Sequence, residues 1–232
     1  MRDLKIPQER HPEKAHRPDN AQPKKPDWIR VKAPGGEGYN TTRRIMREHK
    51  LVTVCEEAGC PNAGECWNQG HATMMIMGEV CTRACTFCNI ATGKPPEPLD
   101  VFEPGRVADA VKKLGLSHVV ITSVDRDDLP DQGAEHIAQT IRNLKQSAPD
   151  ILVEALTPDF RGDERLIQTV ARSGLDVFAH NVETVPELQA GVRDRRANWA
   201  QSIEVLKIAK ASGAKITKTS IMLGLGETRE QV

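Results

Sequence analysis

The run His118-Val-Val-Ile-Thr-Ser-Val124 is apolar and β-branched, and it gives way abruptly to Asp125-Arg-Asp-Asp128. Two substituents on Cβ suit a pleated strand, and an apolar run without alternation reads as a strand buried on both faces. Before it, residues 106–114 set Val107, Ala110, Val111 and Leu114 on one helical face. After it, residues 133–146 do the same with Ala134, Ile137, Ile141 and Leu144. Further strands are expected at 74–80, 151–156, 176–182 and 215–223, and helices at 164–172 and from Trp199 through Ile203, Leu206 and Ala209. Strands alternating with helices imply parallel β/α units. The expected fold is therefore α/β, a partial (β/α) barrel of the TIM type over residues 74–232.

In such barrels the chemistry sits at the carboxyl ends of the strands. Those ends read Cys81 to Cys88, Ser123 to Asp128, Thr157-Pro-Asp159, His180-Asn-Val-Glu-Thr184 and Gly224-Leu-Gly-Glu-Thr228. Asp163 and Thr228 are of the types that cap helices, and capping is the reading favoured for both. His180, Asn181 and Glu183 are harder to assign that way, because alternate strand-end residues project toward the same mouth.

Composition narrows the function classes. The 32 basic residues balance 32 acidic ones, so the basic excess of a nucleic-acid-binding surface is missing. Mean hydropathy is −0.48, and no apolar run approaches the roughly 18 residues of a membrane span. No secretory signal is seen, and Asp3, Glu9, Glu13 and Asp19 interrupt the basic residues that a mitochondrial transit peptide would string together. A cytoplasmic protein is expected. Residues 1–40, with Pro7, Pro12, Pro18, Pro23, Pro26 and Pro34 among many charges, read as a mobile or wrapping arm. Ile45, Met46 and His49 suit a short helix beginning near Thr41, which opens an extension over 41–73.

All six cysteines fall between Cys55 and Cys88, as two triplets: Cys55-x4-Cys60-x5-Cys66 and Cys81-x3-Cys85-x2-Cys88. A disulfide framework belongs to short secreted chains, so metal binding is the stronger reading. Structural zinc takes four ligands and would have to borrow His49 or His71 here. A four-iron cluster held by three thiolates keeps one iron open, which is what a catalytic metal site needs. Two triplets suggest two clusters with different tasks.

Cys81-Thr-Arg-Ala-Cys85-Thr-Phe-Cys88 resembles the signature of radical S-adenosylmethionine enzymes. Cys55-Glu-Glu-Ala-Gly-Cys60-Pro-Asn-Ala-Gly-Glu-Cys66-Trp67 resembles the second-cluster motif of their lipoyl synthase branch. Val124-Asp-Arg-Asp-Asp-Leu129, Glu154-Ala-Leu-Thr-Pro-Asp159, His180-Asn-Val-Glu-Thr184 and Met222-Leu-Gly-Leu-Gly-Glu-Thr228 are similar to that branch too. The resemblance implies a radical S-adenosylmethionine partial barrel with two 4Fe-4S clusters. Cys81, Cys85 and Cys88 would hold the cluster that chelates and cleaves S-adenosylmethionine. Cys55, Cys60 and Cys66 would hold an auxiliary cluster consumed as sulfur donor for C6 and C8 of an octanoyl chain. It also implies that Ser123, Asn181, Glu183 and Arg193 contact S-adenosylmethionine, with a solvated surface charge as the competing reading of Arg193. Phe87 would shield the cluster or the adenine, or simply pack. The implied partners are octanoylated lipoyl carrier domains (2-oxoacid dehydrogenase E2 and glycine cleavage H protein) and a low-potential electron donor.

Lipoyl synthases continue into a sixth strand and a C-terminal segment whose serine ligates the auxiliary cluster, whereas this sequence stops at Val232. An exposed fifth-strand edge and a less reliably filled auxiliary site are the expectations. Two other readings stay open: an inactive cluster- or zinc-binding fragment, and another two-cluster radical enzyme.

Overall fold

A computed structural model describes residues 34–69 and 71–232; most of the expected arm lies outside them. The N-terminal part holds helices α1 (Glu37–Glu48), α2 (Val54–Glu57) and α3 (Ala63–Asn68), with the short strand β1 (Val52–Thr53) between α1 and α2. The rest alternates: β2 (Thr73–Ile76), β3 (Val80–Cys81), β4 (Ala91–Thr92), α4 (Glu103–Leu114), β5 (His118–Ser123), α5 (Ala134–Ser147), β6 (Leu152–Leu156), α6 (Glu164–Ala171), β7 (Val177–Ala179), α7 (Gln189–Val192), α8 (Trp199–Ala211) and β8 (Ile216–Lys218).

Six strands form one sheet in the order β1-β2-β5-β6-β7-β8. Pairing from β2 to β8 is parallel throughout, and β1 is antiparallel to β2. The expected α/β barrel portion is thus present as an open parallel sheet. Its core is the stripe predicted from the periodicity: Val107, Val111, Ile121, Ile137, Ile141, Leu144 and Phe178 are each no more than 2 % exposed. Each helix covers the sheet because its apolar residues recur every three or four positions. Asp163 caps α6, accepting from the Arg165 amide at 2.9 Å. Thr228 caps no helix among the described residues and opens a turn instead, its carbonyl accepting from the Gln231 amide at 3.2 Å.

Three expectations shift. The apolar run 74–80 breaks after Ile76, because Met77 and Gly78 turn the chain with φ of 68° and 96°. Glu103 takes the Met77 amide at 2.9 Å and Arg126 reaches the Met77 carbonyl at 3.3 Å, so side chains distant in sequence hold the turn. Gly133 holds φ 81°, a conformation that favours glycine, and a Cβ there would lie 2.1 Å from the Met77 sulfur and force that side chain to shift. The strand expected at 215–223 is ordered as β8 only to Lys218, followed by a single bridge from Ile221 to Glu183. β8 lies at the sheet edge with Ile216 55 % exposed, as the exposed-edge expectation had it. The extension is tied to the sheet: β1 joins it, Tyr39 of α1 stacks on the fully buried Trp67 of α3 with centroids 5.1 Å apart, and the Thr42 hydroxyl donates to the Trp67 carbonyl at 3.1 Å. No described helix is long and apolar enough to cross a membrane.

Candidate active site

β3 delivers Cys81 to the strand-end face, and the chain loops through Cys85 and Cys88 before returning as β4, parallel to β3. The loop is held by its own backbone and by the strand ends. Cys88 donates its amide to the Cys85 carbonyl at 3.2 Å, and Thr82 donates to the Asp125 carbonyl at 3.0 Å. The Cys81 sulfur accepts from the amides of Arg83 at 3.4 Å and Asp125 at 3.3 Å. The Cys85 sulfur accepts from the Asp194 amide at 3.3 Å, while the Asp194 carboxylate takes the Ala84 amide at 3.0 Å.

A cavity of about 270 Å³ opens above this loop. Cys81, Cys85 and Cys88 line it together with Ser123, Asn181, Glu183 and Arg193, residues drawn from the ends of β5, β7 and the segment after α7. Phe87, Met75, Ile90 and Leu156 supply apolar wall, and Val54 of α2 brings the helix that carries Cys55 to the same cavity. The Ser123 hydroxyl oxygen is buried with no hydrogen-bond partner among the described residues. Such an orphan is costly unless a ligand completes it. Glu183 holds a left-handed backbone, φ 64°, pinned by its amide on the Ser220 carbonyl at 3.2 Å and its carbonyl on the Met222 amide at 2.9 Å. That conformation costs about 1–3 kcal/mol and points to a functional constraint. Burial pushes the Glu183 carboxyl above its ordinary pKa, against the opposing pull of an Asn181 hydrogen bond and the Arg193 charge.

Arg193 is 8 % exposed, so the solvated-charge reading of it does not hold. Its guanidinium donates to the Ser202 hydroxyl at 2.8 Å and to the Gln189 side-chain oxygen at 3.3 Å. Ser202 lies 2.9 Å from His180 Nε2, and His180 Nδ1 lies 2.9 Å from the Thr157 carbonyl. The carbonyl requires a proton on Nδ1, which makes Nε2 the acceptor of the Ser202 hydroxyl. Burial depresses the His180 pKa to about 4 and keeps the ring neutral. His180 therefore supports the site from below, through Ser202 and Arg193.

The sulfurs fit a cationic group. Burial pushes the Cys81 thiol well up, with Asp125 adding to it, and raises Cys85 to about 11. Thiols in such a place become ligands only when positive charge arrives. Cys66 is raised by burial and by the nearby Cys55 and Cys60, which places the first triplet within mutual electrostatic reach. Among the described residues no three His, Cys, Asp or Glu side chains converge on one ion. A cubane spreads its thiolates over separate irons, so its ligands need not converge on one point. Together with the amide donors to sulfur and the orphaned Ser123 oxygen, this donor set fits an iron–sulfur cluster with a polar ligand beside it.

Reading the sequence missed the ionic network under the loop: Arg83, Asp127, Asp159, Asp194 and Arg196. Arg83 pairs with Asp127 and Asp159, and Arg196 with Asp194 and Asp127. The available signal was an arginine between two cysteine ligands, facing strand ends rich in aspartate.

The description "Radical SAM superfamily" matches residues 75–232, and "N-terminal domain of lipoyl synthase of Radical_SAM family" matches residues 2–60. A mitochondrial lipoyl synthase of Ostreococcus lucimarinus is 64% identical over 214 residues, covering 90% of this chain and 53% of that protein. The chain thus spans about half the length of this curated relative. Among solved structures, a methylornithine synthase aligns with a TM-score of 0.53 at 14% identity, over 84% of this chain and 55% of that one. The FeFe-hydrogenase maturase HydG of Carboxydothermus hydrogenoformans aligns with a TM-score of 0.54 at 12% identity, over 82% and 51%. At such identities the structures speak for the fold alone.

Proposed function

We propose that this chain, which belongs to the radical SAM superfamily, carries lipoyl synthase chemistry: radical insertion of two sulfur atoms at C6 and C8 of an octanoyl chain amide-linked to a carrier lysine. The superfamily implies a 4Fe-4S cluster and S-adenosylmethionine. When bound, that pair supplies the 5′-deoxyadenosyl radical that removes hydrogen from the acyl chain. The single observation that carries the reading is the convergence of Cys81, Cys85 and Cys88 with Ser123, Asn181, Glu183 and Arg193 on one cavity. Cys81, Cys85 and Cys88 hold the cluster. Ser123 offers its orphaned hydroxyl, while Glu183 and Arg193 present opposite charges to the amino and carboxylate groups of S-adenosylmethionine. The apolar wall keeps water from the radical.

In the same proposal Cys55, Cys60 and Cys66 hold a second 4Fe-4S cluster that donates the sulfur. Support comes from the match of residues 2–60 and from Val54 on the shared cavity. Residues 74–232 would house the radical chemistry and 41–73 the sulfur source. Carrier domains of 2-oxoacid dehydrogenases and the glycine cleavage H protein are the proposed substrates, with a low-potential reductant as partner. The related Ostreococcus protein is described as mitochondrial, which sets an organelle beside the cytoplasm as the compartment to test by fractionation.

The test is anaerobic reconstitution, iron and sulfide per chain, and incubation with S-adenosylmethionine, a low-potential reductant and an octanoylated carrier peptide. The expected result is 5′-deoxyadenosine, with about four irons on the Cys81 side filled more fully than the Cys55 side. A peptide product in which two hydrogens are replaced by two sulfurs establishes the full reaction. Zinc in place of iron, or a cluster without adenosyl cleavage, overturns the reading.

A further inference from the structure

We propose that Arg83 is a positioning residue for the cluster of Cys81, Cys85 and Cys88: its buried guanidinium locks the cysteine loop to the ends of β5 and β6, and its charge sets how readily the cluster accepts an electron. This inference rests on the reading of the site as a radical S-adenosylmethionine centre.

The Arg83 side chain is 3% exposed and its planar fork is filled on both sides. Nε and one terminal nitrogen donate to Asp127 at 2.9 and 3.0 Å; both terminal nitrogens donate to Asp159 at 2.7 Å. Asp125 adds a third carboxylate at 3.4 Å from Nε. Only arginine can hold two carboxylates in this bidentate way, since an ammonium is a point charge. Asp127 is gripped from its other side by Arg161 Nε at 3.2 Å and Arg196 at 3.3 Å, and Arg196 also donates to the Thr82 carbonyl at 2.7 Å. Arg83 is thereby fixed to strand ends 44 and 76 positions away, and Thr82 to Arg196, 114 positions away. The Arg83 amide in turn donates to the Cys81 sulfur, so the guanidinium's place is passed directly to a ligand.

Stability alone does not ask for this arrangement. Buried ion pairs roughly cancel their own desolvation, and apolar packing of similar volume would serve the fold as well. What apolar packing cannot supply is a fixed cation beside an anionic cluster. A thiolate-held cluster gains negative charge on reduction, so a nearby guanidinium favours the reduced form and the flanking carboxylates oppose it. Removing the cation and removing one carboxylate must then move the midpoint potential in opposite directions, which a purely structural role would not do.

The experiment is a potentiometric titration of the anaerobically reconstituted chain, following the spectral signal of the reduced cluster that Cys85→Ala removes. Arg83→Gln is expected to lower the midpoint potential by at least a tenfold change in the reduced-to-oxidised ratio at fixed potential, about 59 mV for one electron. Asp159→Asn is expected to raise it. Arg83→Lys, which keeps the charge and loses the fork, is expected to stay near the unaltered potential while amide exchange over residues 82–86 of the cluster-free chain quickens. Should Arg83→Gln fail to load iron, Asp159→Asn and Arg83→Lys carry the test. Loaded variants whose potentials do not move, or move in the same direction, overturn the inference and leave the proposed function standing. An unaltered chain that loads no cluster overturns both.

Discussion

The two cysteine triplets lie close in sequence, yet the molecule treats them differently. The loop of Cys81, Cys85 and Cys88 is held by bonds to the rest of the fold. Backbone amides point at two of its sulfurs, Arg83 and Arg196 bind it to the strand ends, and Thr86 donates its amide to the Val192 carbonyl at 2.9 Å. Cys55 and Cys66 ride on two helices of four and six residues, and Cys60 lies on the chain between them. Its local order comes from a Thr53 cap on the Glu56 amide and from Cys60 donating to the Cys55 carbonyl at 3.0 Å. The amide directed at the Cys66 sulfur is that of Cys66 itself, so it ties the sulfur to no other segment, and Asn89 donating to the Glu57 carbonyl at 3.1 Å is a polar link to the other loop. The difference teaches that one site is preorganised by the sheet, and the other takes its shape from a few short turns of chain. A helix of one or two turns is marginal without tertiary support.

The sharpest way to break this comparison is to remove one ligand from each side. On the proposed function, Cys85→Ala is expected to abolish 5′-deoxyadenosine formation altogether, whereas Cys60→Ala keeps it and removes any sulfur insertion. Chromatography of the nucleoside and mass analysis of the peptide read the two outcomes. Equal loss of both activities in both variants would mean that the sites are not separable.

The next effect is a pH dependence on the strand-end side. His180 is neutral in the fold, with a pKa near 4, and an unfolded histidine titrates near 6.5. As the pH falls below about 6.5 the unfolded chain takes up a proton that the fold refuses, so stability drops until about pH 4, by about 3 kcal/mol at most. Asp125 acts with the opposite sign, because burial holds it near 6 and it gains its proton in the folded chain first. The His180 share is therefore read as a difference in slope between the unaltered chain and His180→Gln, by denaturant unfolding from pH 7 to pH 4. Identical slopes would refute the neutral, buried His180. Asp127 is raised by burial, but the Arg83 hydrogen bond and charge, the Thr82 hydrogen bond and the Arg196 charge together draw it down to about 2. Its share is therefore present above the ordinary aspartate range and is lost only at lower pH.

The smallest expected effect sharpens the other side of the comparison. A Cβ on Gly38 would lie 2.5 Å from the Asn68 carbonyl oxygen, where α1 and α3 meet behind Cys66. Gly38→Ala is expected to destabilise that contact by about 1–3 kcal/mol. Iron bound at the first triplet should fall while the potential of the Cys81 cluster stays unchanged. A coincident loss at both triplets would show that the extension and the sheet are one cooperative unit.

Much of this was legible beforehand. The alternation of β5, α5, β6, α6 and β7 follows from period-2 and period-3.6 patterns that any short window displays. Strand boundaries were less so: the break at Met77 depends on Glu103 and Arg126, whose contact with it no local pattern encodes. The cysteine ligands were found by spacing, but Arg193 stayed open between a cofactor contact and a solvated surface charge because its neighbours Asp194, Arg195 and Arg196 are all charged. Only its position over Ser202 makes it a buried cation.

By itself the sequence determined the parallel β/α rhythm, the two cysteine triplets and the strand ends on which Ser123, Asn181 and Glu183 would meet, because periodicity and spacing are properties of contiguous residues. The tertiary structure alone decided which charges are buried and what they hold. Arg83 meets Asp159 across 76 residues and the Asp194 amide meets the Cys85 sulfur across 109. The worth of a charge depends on the dielectric and the partners around it, and these exist only once the sheet has brought distant segments together.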